Sequence, residues 1–136
     1  MKKLLYILIT LLVIAVIGYF ILLNLPKASS KNKDASFKIE AADLYSEFQA
    51  NEVLANKKYS EKTIEISGSI MDLEIDKQGA SVLYIDADAG INGLMCTMEM
   101  NQKAEFEVGQ KVVLKGLCSG YLQGLVVLNK CVLIKE

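Results

Sequence analysis

The sequence predicts a mainly β protein: a five-stranded barrel preceded by an amphipathic α-helix, with a transmembrane helix at the N-terminus. Three observations predict it. Residues 108–133, VGQKVVLKGLCSGYLQGLVVLNKCVL, contain two runs rich in β-branched and long apolar residues, 111–118 and 125–133, separated by Ser119-Gly120 and Gly124, the composition of a closing hairpin. Further strand-like runs, residues 63–76, 81–86 and 94–98, precede it and are divided by glycine-bearing turns. Residues 4–25 carry no charge, whereas every acid, and every lysine except Lys2 and Lys3, lies beyond Pro26.

After that apolar segment the 136-residue chain leaves room for one domain of about a hundred residues and one core. The polar part is mildly acidic and has no arginine, histidine or tryptophan. Nucleic-acid affinity is carried mainly by clustered Lys and Arg, so this balance argues against a polyphosphate partner.

The apolar segment is 22 residues long. As a helix it spans about 33 Å, enough for a hydrocarbon core of about 30 Å. A cleavable signal has an apolar region of about 7–15 residues and a small-x-small cleavage site. Here the run is longer, and the small residues Ala28-Ser29-Ser30 stand beyond Pro26. No cysteine follows the run directly, which excludes lipid attachment there. An uncleaved signal anchor over residues 1–25 is expected, with a removed signal and a buried core helix as the alternatives. Tyr6, Tyr19 and Phe20 suit interfacial positions. Lys2 and Lys3 on one side are matched by Lys27, Lys31 and Lys33 on the other, which blunts the positive-inside rule. The short two-lysine tail has the layout of an export signal, so the domain is expected outside the cytoplasm. Residues 26–38, beginning PKASSKNKDAS, are expected to be a flexible tether, and residues 39–136 the helix and barrel.

Ala41, Leu44, Tyr45, Phe48, Val53, Ala55 and Tyr59 recur at helical spacing, with Asp43, Glu47, Gln49 and Lys57 elsewhere. One helix over residues 41–57 follows, its apolar stripe packed on the barrel and Asn51-Glu52 inside it. In the first strand Ile64, Ile66 and Ile70 alternate inward around Gly68. Beyond Ile70 the apolar phase passes to Met71, Leu73 and Ile75, which calls for a β-bulge near residues 69–71 or a strand that bends between two faces. Lys77-Gln78-Gly79 makes a hairpin turn, residues 81–86 a second strand, 90–93 a turn and 94–98 a third strand. Residues 101–108 form a polar connection with room for one helical turn. Five strands, with the long connection between the third and fourth, is the OB-fold count.

The chain also resembles the tRNA-anti-like OB-fold proteins, small bacterial proteins carrying an export signal or membrane anchor. The resemblance runs over residues 42–133. It rests on Leu44 with Phe48, Asn51-Glu52, Ala55, Tyr59, Lys62, Ile66-x-Gly68, Cys96 and Gly109-Gln110-Lys111-Val112. Its specific part is Lys115-Gly116-x-Cys118-x-Gly120-Tyr121 with Val126-x-Leu128-x-x-Cys131; Leu125 departs from it, a polar residue being usual there. The resemblance implies the fold and carries almost no function with it.

Alternation from Val112 turns Leu114, Gly116 and Cys118 inward. Cys131 joins them only if Asn129-Lys130 forms a bulge. Cys118 and Cys131 are then a disulfide candidate, provided their Cα atoms lie within about 7 Å. Such a bridge is worth about 3 kcal/mol in the chain-entropy model. Three buried thiols are the alternative, and no Cys-x-x-Cys pair supports redox activity. Asp86-x-Asp88-x-Gly90 is a candidate cation loop, but it lacks the third ligand position and the distal Glu of a calcium loop, and a solvated turn is the competing reading. No metal or other cofactor is expected.

With no histidine and no Gly-x-Ser-x-Gly elbow, catalysis is not expected. By fold analogy the binding face lies on the second and third strands, at Tyr84, Asp86, Met95 and Thr97, with Tyr121 flanking the closing hairpin. Single-stranded nucleic-acid binders interleave aromatics with basic residues on that face, and here Tyr84 stands nearly alone. The sequence therefore predicts a membrane-anchored extracytoplasmic binding or interaction module, whose partner is an unidentified protein or small ligand. An envelope assembly protein associating through its transmembrane helix, and a nucleic-acid binder facing the cytoplasm, are the alternatives.

Overall fold

The computed structural model describes residues 2–23, 34–90, 92–100, 102 and 104–135. In chain order the elements are α1 (Lys2–Leu23), β1 (Phe37–Glu40), α2 (Ala41–Ala50), α3 (Glu52–Tyr59), β2 (Thr63–Ile75), β3 (Ser81–Ala89), β4 (Asn92–Met98), β5 (Lys111–Leu122) and β6 (Leu125–Lys135).

Strand order is β1-β2-β3-β4-β6-β5, and β5 pairs back onto β2. That last pairing closes β2 to β6 into a five-stranded barrel without free edges. Within it β2 is long enough to serve two neighbours: its first half, residues 63–69, runs antiparallel to β5, and its second half antiparallel to β3. The switch falls at the expected bulge, where register shifts between Ile70 and Asp72. Ile64, Ile66 and Ile70 are buried, and with Leu83, Ile85, Leu94, Leu114, Val126 and Leu128 they fill the interior. Leu44, Phe48 and Tyr59 from the two short helices complete this core.

Three features differ from the sequence expectation. First, the helix over residues 41–57 is two helices. Asn51 adopts an extended conformation (φ −159°, ψ 95°), its amide closes α2 on the Glu47 carbonyl at 3.1 Å, and its Oδ1 accepts the Leu54 amide at 3.0 Å to open α3. A side chain able to satisfy the orphan amide of a new helix makes the break favourable. The break also turns Val53 away from the barrel, so that this residue, expected in the packing stripe, is 77% exposed.

Second, Phe37–Glu40 forms a short strand parallel to β2, pairing Ile39 with Ile66. Its alternation is only four residues long, too short to register as a periodic signal. Of the tether expected over residues 26–38, residues 26–33 lie outside the described residues.

Third, the closing hairpin turns at Gln123-Gly124 alone, both with positive φ (52° and 89°), as a two-residue turn matching the twist of its strands requires. Ser119-Gly120 stays within β5. The described residues between Glu99 and Gln110 are irregular and form no helical turn.

On α1, Lys3 and residues 6–21 are exposed. Among the described residues no helix is long and apolar enough to cross a membrane. Residues 24 and 25 of the span expected over residues 4–25 lie outside the described residues.

Candidate functional site

The antiparallel pairing of β3 and β4 sets Tyr84 opposite Met95 and Val82 opposite Thr97, while on the other flank Tyr84 faces Asp72 and Val82 faces Glu74. Alternation does the rest. Leu83, Ile85, Leu94, Cys96 and Met98 point inward and are buried, leaving Tyr84, Met95 and Thr97 half-buried and Asp86 exposed on the outer face. The structure thus brings together four of the five expected binding residues. Met71, Asp72, Glu74 and Tyr84 line an open hollow of about 350 Å³. Within it the Tyr84 hydroxyl donates to Glu74 Oε2 at 3.2 Å. Partial burial pushes the Tyr84 phenol up, and the Glu74 and Asp72 charges add to this. An aromatic ring, a thioether and three carboxylates on one face suit a partner with apolar and cationic groups, and repel phosphate.

Asp86 accepts the amide of Asp88 at 2.9 Å, and Asp88 has a positive φ of 55°. The candidate cation loop is therefore an Asx-type turn that spends one carboxylate on the backbone. Among the described residues no group of three His, Cys, Asp or Glu is placed to hold a metal.

Tyr121 stands apart from this face. Its ring stacks on Phe48 at 6.0 Å and lies 6.4 Å from Tyr45, and the Gln49 amide donates to its hydroxyl and, at 3.0 Å, to that of Tyr45. It joins the β5–β6 hairpin to α2.

The expected bulge at Asn129-Lys130 is present, marked by a positive φ of 52° at Lys130 and a register shift against β5, and it turns Cys131 inward. All three cysteines are nonetheless free thiols. Cys118 pairs with Leu128, while Cys131 lies over Gly116, so the disulfide weighed between Cys118 and Cys131 is not formed. Diagonal neighbours across two strands stand about 7–8 Å apart, too far for easy bridging. Burial pushes the Cys118 and Cys131 thiols up, Cys131 well up with Cys96 adding to it.

Two features escaped sequence reading. Asp72 and Glu74 stand out as acidic residues, but their place beside Tyr84 follows from the register after the bulge. A second groove of about 410 Å³, lined by Glu40, Ser67, Ser69, Lys111 and Lys135 among others, draws on four separate strands and left no local signal.

A barrel closed in this order, with its half-buried aromatic and thioether on the outer face of its second and third strands, defines an OB-fold domain. The chain belongs to the tRNA_anti-like family, whose pattern matches residues 1–132. Among solved structures it is similar to a lipoprotein from Klebsiella pneumoniae subsp. pneumoniae described as a candidate nucleic acid-binding protein, with 16% identity, 72% of this chain and 91% of that chain covered, and a TM-score of 0.59. At that identity the likeness is one of fold. A candidate aspartyl-tRNA synthetase from Leishmania major (10% identity, 82% of this chain and 23% of that chain, TM-score 0.49) and the S. pombe Stn1-ten1 complex (17% identity, 54% and 59%, TM-score 0.40) are more distant. No curated protein matches this sequence.

Proposed function

We propose that this protein is a membrane-anchored binding module whose barrel stands on the extracytoplasmic side and engages a protein or small ligand through the outer face of β3 and β4. The observation that carries the reading is the pairing of Tyr84 with Met95 beside the hollow bounded by Asp72 and Glu74. Anchoring is supported by the uncharged run of residues 4–25, by the exposed apolar side chains of α1, and by a family pattern that takes in α1 as well as the barrel. The Klebsiella barrel is described as a lipoprotein; here no cysteine follows the apolar run, so a helix would serve in place of a lipid. Its description as a candidate nucleic-acid binder does not carry over, because the corresponding face here gathers Asp72, Glu74 and Asp86 around its one tyrosine. The function is binding and not catalysis.

Two measurements test this. Protease added to intact cells should cleave the barrel while a cytoplasmic marker survives; protection until the membrane is breached would reverse the orientation. For the full chain in nanodiscs labelled at the methionine methyls, Met71 and Met95 report on the face, buried Met98 is the internal control and Met100 the surface control. Titration with an oligolysine peptide carrying apolar residues should move Met71 and Met95 alone. Salt-sensitive movement with single-stranded DNA or RNA would favour the nucleic-acid reading instead.

A further inference from the structure

The outward side of α3 is not used by the β3–β4 face. At 100° per residue Val53, Leu54, Lys57 and Lys58 fall on one side of the helix, and the buried Ala55 and Tyr59 on the other. Val53 is 77% and Leu54 62% exposed. Isolated exposed apolar side chains are ordinary, and Ile75, Met100 and Val108 are of that kind. Two adjacent ones flanking a lysine on one helix face have the chemistry of a bilayer interface: aliphatic groups enter the headgroup layer while the ammonium stays at phosphate level. Lys58 is held by Glu47 at 2.9 Å, which neutralises the carboxylate beside this face. Glu52 falls beside Tyr59, on the opposite side of the helix.

The occupant is indicated by where the chain arrives. The Ser36 amide donates to the Thr63 carbonyl at 2.7 Å, and the Phe37 ring sits edge-on to Tyr59 at 5.0 Å with the Lys58 ammonium 5.9 Å above it. These contacts pin the incoming chain to the C-terminal end of α3, and the eight-residue helix is only about 12 Å long. Residues 24–36 separate α1 from β1, a reach of no more than about 50 Å. Within that reach a weak surface contact is favoured by its high effective concentration.

We infer that the face of α3 formed by Val53, Leu54 and Lys57 rests on the phospholipid bilayer that holds α1, an inference that depends on the membrane reading of α1 above. The full chain is reconstituted into phosphatidylcholine–phosphatidylglycerol vesicles after labelling Val53→Cys, Leu54→Cys or Ile75→Cys with an environment-sensitive fluorophore. Labelling is selective because Cys96, Cys118 and Cys131 are buried. Headgroup-region spin-labelled lipid should quench labels at 53 and 54 several-fold more than at 75, and adding Leu54→Ser should lower the quenching at 53. Equal quenching at 53 and 75 overturns the inference. So does a cross-linked dimer through position 53 without quenching, which assigns the face to a second copy. Carbonate extraction separates the two levels: protein released from the vesicles disproves the anchor itself, whereas retained protein with an unquenched label disproves only the contact.

Discussion

Gly116 on β5 lies directly under the sulfur of Cys131 on β6, so that a Cβ at position 116 would overlap that sulfur. The bulge at Lys130 is what turns Cys131 into this space, and the absence of a side chain at 116 is what admits it. A close-packed interior does not tolerate the added methyl, so Gly116→Ala should destabilise by about 1–3 kcal/mol. Cys131→Ala in the same chain should recover part of the loss, since the two positions share one volume. Urea midpoints for the single and double variants measure it; strict additivity would show that the contact is not the cause.

Asn51 ends one helix and begins the next through three hydrogen bonds. Asn51→Ala removes the side-chain cap of α3 and should cost about 1 kcal/mol, while Asn51→Asp, which caps as well, should stay near wild type. Equal midpoints for wild type and Asn51→Ala would show the cap to be idle.

Glu47 is held below the usual carboxylate range, first by its hydrogen bond to Lys58 and then, against the opposing effect of burial, by Tyr59. A carboxyl whose pKa is depressed by folding adds stability above its unfolded value and loses it as pH falls through the folded value. Lys58, raised by Glu47, acts at the opposite end: its contribution is present below the unfolded lysine value and is lost as pH rises through the folded one. Glu47→Gln should therefore lower stability at neutral pH by a small, salt-sensitive amount, because the pair is exposed, and its difference from wild type should shrink to nothing in acid. A difference that persists after the carboxyl is protonated would assign the effect to packing.

Tyr84 should ionise above an ordinary tyrosine, chiefly through burial and secondarily through Glu74. Glu74→Gln removes the charge and should bring the phenol partway down, leaving the burial contribution in place. Carbon resonances of the labelled tyrosine rings followed through an alkaline titration read this directly. A Tyr84 titration unmoved by Glu74→Gln would separate the two residues.

On the site, the period-2 pattern of residues 81–86 and 94–98 is enough to put Tyr84, Asp86, Met95 and Thr97 on one outer face, because inward and outward positions alternate whatever the partner strands are. It cannot add Asp72 and Glu74, since the bulge after Ile70 resets which side chains of β2 stand beside β3. Tyr121 shows the limit of fold analogy: its position flanks the hairpin as expected, yet its ring is taken up by Phe48, Tyr45 and Gln49, more than seventy positions away in helical contacts that no local pattern encodes.

By itself the sequence determined the number and order of the barrel strands, the two bulges, the helical stretch before them and the uncharged N-terminal run, because each is a local matter of periodicity, turn chemistry and composition. Tertiary structure decided the rest. Whether Asn51 continues a helix or caps a new one depends on which arrangement buries Leu44, Phe48 and Tyr59 together. Whether Phe37–Glu40 is a strand depends on the edge of β2 residues 63–69 that β3 does not cover and β5 does not occupy. And whether Cys131 meets Cys118 or Gly116 depends on how the turn at Gln123-Gly124 and the successive register shifts along the β5–β6 pairing add up, which no one of them settles alone.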